Sequence, residues 1–225
     1  MAQVHFVEDY ERHVADLMAS YPPDEAVELA VGGQYDEVGG READILVGLG
    51  MHGGTSLVDL GCGSGRLAKC LGLRFPNLSY TGIDIIQALL DYAQKQCPAH
   101  FRFIKHQEVS IPLESESSDF LVAFSVFTHL LYEETYLYMS EARRVLVPGG
   151  KLIFSFCEFA DPGHWGIFEH HVAMRKQTTH YPLNIFIEQP VIRLWAAKLG
   201  FEVVSIGPRS DFGQSLAVLV RTNEK

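Results

Sequence analysis

Three glycines within five residues, Gly61, Gly63 and Gly65, follow an apolar run of Leu57, Val58 and Leu60 and precede a helix-favouring run from Arg66 to Lys69. Glycine permits a tight turn and lets the backbone approach a bound molecule. A helix starting behind such a turn offers unpaired N–H groups and the positive end of its dipole. The pattern therefore describes a strand, a ligand-cradling turn that contains Cys62, and a helix. Two carboxylates accompany it. Asp59 stands two residues before the first glycine. Asp84, followed by Ile85, ends the run Tyr80-Thr-Gly-Ile-Asp84 about 20 residues past the glycines, the interval expected for an acidic side chain on a ribose. An ionised carboxylate accepts two hydrogen bonds and so suits a pair of ribose hydroxyls. The spacing Gly-x-Gly-x-Gly differs from the Gly-x-Gly-x-x-Gly of dinucleotide sites, which speaks against a nicotinamide-dependent oxidoreductase.

Taken together, these residues resemble motifs I and II of the class I S-adenosylmethionine-dependent methyltransferases. The resemblance runs from about Thr55 to Leu152 and continues beyond only in outline. It includes Leu-x-Pro-Gly-Gly-x-Leu over residues 146–152, whose Pro and Gly set a turn. It implies an α/β fold: a doubly wound, seven-stranded, mostly parallel sheet with an antiparallel last strand, helices on both faces and an N-terminal helical cap. It implies S-adenosylmethionine as cofactor, with Gly61, Cys62, Gly63, Gly65 and Ile85 around it, Asp84 at the ribose, and Ser125 beside the methyl group. Asp59 either acts near the amino acid end of the cofactor or orients the loop. In this family an acidic residue after the third strand commonly meets the adenine amino group. Counting back from Pro112 puts Gln107 in that place with Glu108 next, and either can accept.

Methyl transfer from a sulfonium is an in-line displacement in which the protein mainly positions the partners. No catalytic triad is needed, and the sequence displays none. His129, after the fourth strand, could take a proton from an acceptor hydroxyl or simply pack before the next helix. The segment of about 160–189 is the part least like the family. It is expected to wall an acceptor pocket through His164, Trp165, Phe168 and Tyr181. Its adjacent His170 and His171, read as strand residues, would face opposite sides, and no tight zinc-ligand spacing occurs, so no metal is expected. Ahead of the glycines, Val31 to Arg41 holds four glycines and reads as a pliable segment, either a lid bringing Tyr35 and Arg41 to the ligand or a surface connection.

The elements that must hold these residues can be read in order. Helices are expected over Val7 to Met18, Glu25 to Leu29 and Asp44 to Leu49, the first two separated by Pro22-Pro23. After the glycine turn the helix stops at Pro76. Ser79 to Ile85 is a strand, Gln87 to Gln96 a helix ending before Pro98, and Phe101 to Ile104 a strand. Residues 117–125 and 151–156 are strands around a helix over 133–146. A helix over 190–199 stops at Gly200, and strands follow over 201–206 and 214–221. The division is an N-terminal cap or lid over 1–50 and a methyltransferase-like domain over 51–225.

With 225 residues, 47% hydrophobic, the chain can bury a full core. A net charge of -10 argues against a broad nucleic-acid or anionic-membrane surface. No apolar run approaches a membrane span, and the N-terminus lacks the pattern of a signal peptide. The four cysteines show no Cys-x-x-Cys pair and read as reduced thiols of a cytoplasmic protein. The Asn-Pro-Pro-Tyr found in many family members acting on amino groups of nucleobases or glutamine is absent. The preferred expectation is thus methylation of a small-molecule acceptor on oxygen or nitrogen. A methyltransferase of RNA or protein, and a catalytically silent cofactor-binding protein, are the alternatives. Oligomeric state is not legible.

Overall fold

A computed structural model describes residues 3–176, 184–207 and 213–223. Tyr181, expected on the acceptor wall, lies outside the described residues. Three helices come first: α1 (Val7–Ser20), α2 (Pro23–Ala30) and α3 (Tyr35–Gly48). Then β1 (Ser56–Leu60), α4 (Arg66–Arg74), β2 (Ser79–Asp84), α5 (Gln87–Gln96) and β3 (Arg102–Lys105) alternate. The chain continues through β4 (Ser118–Ala123), α6 (Tyr132–Val145), β5 (Leu146–Phe156), α7 (Pro162–Arg175), α8 (Gln189–Leu199), β6 (Phe201–Gly207) and β7 (Ser215–Arg221).

The seven strands form one sheet in the order β3-β2-β1-β4-β5-β7-β6. β1 to β5 run parallel, whereas β7 is antiparallel to both neighbours, β5 and β6. Strands covered on both faces need apolar residues on both, and β1 and β4 are buried almost throughout. Alternate residues serve two cores. Val58, Leu121 and Phe154 pack with α6 and α8, while Leu57, Val122 and Ile153 pack with α3 and α4. The strand order reverses between β1 and β4. The carboxyl ends of these strands therefore open onto the crevice where open α/β sheets bind ligands.

Three departures from the sequence expectation bear on the site. The pliable segment is half helix: Gly32 and Gly33 turn with φ of +89° and +76°, but α3 already begins at Tyr35 and incorporates Gly39 and Gly40. Gly39 is there because α3 presses on α4: a Cβ on it would lie 2.6 Å from the Arg66 carbonyl oxygen. The histidine-bearing segment is also helical, so His170 and His171 sit about 100° apart on α7 rather than on opposite faces of a strand. Pro162 at its first turn and the Asp161 carboxylate, which accepts from Gly163 N (2.8 Å) and His164 N (3.1 Å), start that helix. Finally, the Pro-Gly-Gly turn is an excursion within β5, whose pairing with β4 jumps from Ser118↔Leu146 to Phe120↔Lys151. Among the described residues, no helix is long and apolar enough to cross a membrane.

Candidate functional site

The glycine turn is tied to the tip of β2. Gly61 N (2.7 Å) and Cys62 N (3.1 Å) both donate to Ile83 O, and Gly63 N donates to Asp84 Oδ2 (2.8 Å). The other Asp84 oxygen accepts from Ile86 N at 2.9 Å. Each carboxylate oxygen thus keeps capacity for a further donor. Burial raises the Asp84 pKa, and the N–H groups of Ile86, Gly63 and Ile85 oppose that rise. Gly61, Gly63 and Gly65 all adopt positive φ, and a Cβ on Gly61 would strike Val126 Cγ2 at 2.3 Å. Val126 belongs to the turn after β4, so the glycine corner and the end of β4 are in contact.

Cys62 turns its side chain away from the crevice. Its sulfur packs against Gly82 of β2, where a Cβ would come within 2.7 Å, and burial pushes its thiol well above the usual range. The same sulfur also reaches Gly63 O at 3.8 Å, so the side chain braces the turn. Asp59 is buried as well. Its Oδ2 accepts from the Tyr80 hydroxyl at 2.6 Å, and its pKa is pushed up to about 7, chiefly by burial. This partner fits the loop-orienting alternative for Asp59.

At the end of β4, Ser125 holds φ of +57°, a strained conformation for a residue with a side chain. Its N–H donates to Ser155 Oγ (2.7 Å), and Ser155 Oγ donates to Gln214 Oε1 (2.6 Å). The sequence reading missed Ser155 and Gln214, since nothing in their local pattern shows that β5 and β7 bring them under Ser125. His129 is half-buried in the loop before α6, its ring 6.3 Å from that of Phe6. Gln107 donates its amide to Glu11 Oε1 (2.9 Å) and Ile85 O (3.1 Å), while the backbone of Glu108 bridges to Gln3. The N-terminal segment thus holds the Gln107 side chain and the Glu108 backbone, while Glu108 itself stays exposed.

That segment overlies the corner. Val14, Val27 and Ala30 form a cluster with Ile86 and Leu89, joined by Tyr10, Val31 and Ile85. The Tyr10 hydroxyl donates to Ala30 O at 2.9 Å, and burial followed by the charge of Asp84 raises its pKa. Tyr10 is a site neighbour the sequence reading missed, because α1 reaches Asp84 only through tertiary packing. Tyr35 does reach the glycine turn, donating to Ser64 O at 2.6 Å. Arg41 instead pairs with Glu37 along α3 (2.6 Å). Behind the turn, Arg66 clamps the buried Glu42 through Nη2 (2.6 Å) and donates to Val31 O through Nη1 (2.8 Å), fixing α3 and the cap to α4.

The histidine-bearing segment forms an aromatic wall. The Phe159 ring stacks on Phe186 at 4.5 Å and meets Phe168 edge-on at 5.2 Å, with Trp165 against both Phe159 and Phe168. His164 is not on that wall. It is wholly buried, its Nδ1 accepting from Glu158 N (3.1 Å) and its Nε2 set against Gly213 O (3.0 Å), which fixes the Nε2–H tautomer. Among the described residues, no group of His, Cys, Asp and Glu is placed to hold a metal ion. A cavity of about 620 Å³ lies on the wall, bounded by Tyr132, Phe159, Phe168, Ile185 and Phe186 with His171, Arg175 and Lys176 at its edge. Ile185 N donates to Thr128 O at 2.7 Å, so this cavity adjoins the His129 loop.

Residues 58–154 match a family described as "Methyltransferase domain". Demethylmenaquinone methyltransferase of Chlamydia pneumoniae is 28% identical over 136 residues, 55% of this chain and 56% of that protein. Malonyl-[acyl-carrier protein] O-methyltransferase of Hahella chejuensis is 30% identical over 132 residues, 56% of this chain and 46% of that protein. The chain thus spans about half the length of these curated relatives. In fold it is similar to magnesium protoporphyrin IX methyltransferase of Synechocystis PCC 6803, solved with bound S-adenosylhomocysteine (TM-score 0.64, 20% identity, 84% of this chain and 86% of that one). It is also similar to a putative methyltransferase from Haloferax volcanii, solved with the activator Trm112 (TM-score 0.69, 16% identity, 99% of this chain and 100% of that one).

Proposed function

From the premise that residues 58–154 are a class I, Rossmann-like methyltransferase domain, we propose that this chain transfers a methyl group from S-adenosylmethionine to a small organic acceptor, on oxygen or nitrogen. The observation that carries the proposal is the joint between the glycine turn and Asp84 Oδ2, at the point where the strand order reverses. The residues fit the cofactor. Asp84 retains acceptor capacity for ribose hydroxyls, and Gly61, lacking a side chain, lets the turn close against Val126 at the end of β4. Ile85 lies beside Asp84 at the tip of β2, and Gln107 and Glu108 follow the next strand, β3, where one of them meets the adenine. When bound, S-adenosylmethionine supplies the activated methyl group.

This chain's own residues align and enclose. Asp59 holds the β1 tip through Tyr80. Ser125, kept strained by Ser155 and Gln214, orients the end of β4 beside the crevice. His129 accepts the acceptor's proton. Residues 1–50 act as the cap, with Tyr10 and Tyr35 excluding water, and the 160–189 insert supplies the acceptor wall through Phe168; Trp165, also expected there, packs against Phe168 without lining the cavity. Aligning the reacting atoms can account for roughly 7–11 kcal/mol of the barrier, which is why no nucleophile is required.

Calorimetric titration with S-adenosylmethionine tests the cofactor site. Asp84→Ala is expected to weaken binding by roughly 1.5–3 kcal/mol, the range for hydrogen bonds to a charged group. Unchanged affinity would remove Asp84 from the ribose. A screen of metabolite extracts with methyl-labelled cofactor then tests transfer. Binding without label transfer to any acceptor would favour a silent binding protein.

A further inference from the structure

The aromatic cavity has a polarity that the proposed function leaves unexplained. Phe168, His171, Val172 and Arg175 are spaced i, i+3, i+4 and i+7 on α7, so one stripe of that helix faces the cavity. The stripe is aromatic at its start and cationic at its end. Arg175 lies about 6 Å along the axis from His171, with Lys176 beside it. The apolar lining is not packed away: Phe159 and Val172 are 41% and 42% exposed. His171 is committed to Asn184 Nδ2 (2.9 Å), and burial followed by His170 and His129 lowers its pKa. The positive charge at the rim is therefore that of Arg175 and Lys176. None of the described residues lining the cavity is acidic, in a chain whose net charge is -10. Its volume of about 620 Å³ suits a ring-sized organic molecule.

We infer that the acceptor is an apolar, ring-sized organic anion. Its flat body lies among Phe159, Phe168 and Phe186, and its negative group is anchored by Arg175 and Lys176. The Thr128–His129 loop adjoins the same cavity, since Ile185 N donates to Thr128 O and His129 acts electrostatically on His171. This rests on the methyltransferase reading for the word acceptor, but the cavity's preference for an anion does not depend on it. An anion at two cations gains charge-assisted hydrogen bonds, whereas an uncharged analogue of the same shape gains only the apolar contact.

The test compares two fluorescent probes with similar aromatic bodies, 8-anilino-1-naphthalenesulfonate and the uncharged N-phenyl-1-naphthylamine, titrated into the whole chain. Removing both cations in the R175Q/K176Q variant should weaken the sulfonate at least about tenfold, the effect of losing hydrogen bonds to a charged group, and leave the uncharged probe within about twofold. F168A should weaken both probes. Equal affinity of the two probes, or an unchanged sulfonate affinity in R175Q/K176Q, would overturn the inference. So would F168A leaving both unaffected, since the probes would then sit elsewhere. Calorimetry with S-adenosylmethionine on the same proteins keeps the two readings apart. Loss of cofactor binding by the wild-type chain would sink the proposed function, whereas the probe comparison judges the anion site alone.

Discussion

Asp59 and Asp84 are carboxylates on adjacent parallel strands, both buried, with different partners. Asp84 accepts two backbone N–H groups at a strand tip, while Asp59 accepts one hydroxyl inside the α3–α4 side of the sheet. Burial dominates for Asp59 and lifts its pKa from 3.8 to about 7. Between those pH values the native state holds a proton that the unfolded chain has released. Its contribution to stability is therefore fully present below pH 3.8 and lost as pH rises to about 7. Asp59→Asn keeps an acceptor for Tyr80 and removes the titration. The variant should gain on wild type across this window, by on the order of 3 kcal/mol above it, as read from denaturant melts at pH 4 and pH 8. A constant difference would show that Asp59 stays ionised in the fold. His129 is argued through turnover: His129→Ala should lower kcat by about 10²- to 10⁴-fold, the usual range for a general base, with cofactor affinity retained. Full activity would make it a packing residue against Phe6.

Adjacent glycines in α3 separate propensity from packing. Replacing a mid-helix glycine with alanine gains up to about 1 kcal/mol from helix propensity. At Gly40 nothing lies within 4 Å of the new Cβ, so Gly40→Ala should stabilise by about that amount. At Gly39 the Cβ would meet the Arg66 carbonyl oxygen at 2.6 Å, which is backbone and cannot rotate aside. Crowding of that kind costs roughly 1–3 kcal/mol, and against backbone the upper part of that range applies, so Gly39→Ala should destabilise by up to about 2 kcal/mol net of the propensity gain. Thermal melts of the two variants should move in opposite directions; a shared sign would mean that α3 is not seated on α4 as described. The glycines of this segment read as flexibility in the sequence because close helix packing and a pliable loop use the same residue. Likewise, His170-His171 carries no period of its own, and the Pro162 and Asp161 start signals decide for helix.

At the scale of the whole molecule, the cap, the glycine corner and the sheet are joined by Arg66, which holds both Glu42 and Val31. A ligand bound between them stabilises the entire chain. S-adenosylmethionine at about 100 times its Kd should add about 2.7 kcal/mol, a rise in Tm of about 5–10 °C for a chain of this size. Absence of any shift would argue against a cofactor held by the folded cap and corner together. The sequence alone determined what depends on local chemistry: the alternation of strands and helices, the triple-glycine turn, and the carboxylate at the tip of β2. It did so because glycine conformations, helix stops and two-sided apolar strands leave their marks within a few residues. Only the tertiary structure decided that Tyr10 lies near Asp84, that Ser155 and Gln214 support Ser125, that His164 is sealed in, and that an aromatic cavity ends in two cations. Those relations join residues far apart in the chain, and no local pattern records which distant surfaces a fold presses together.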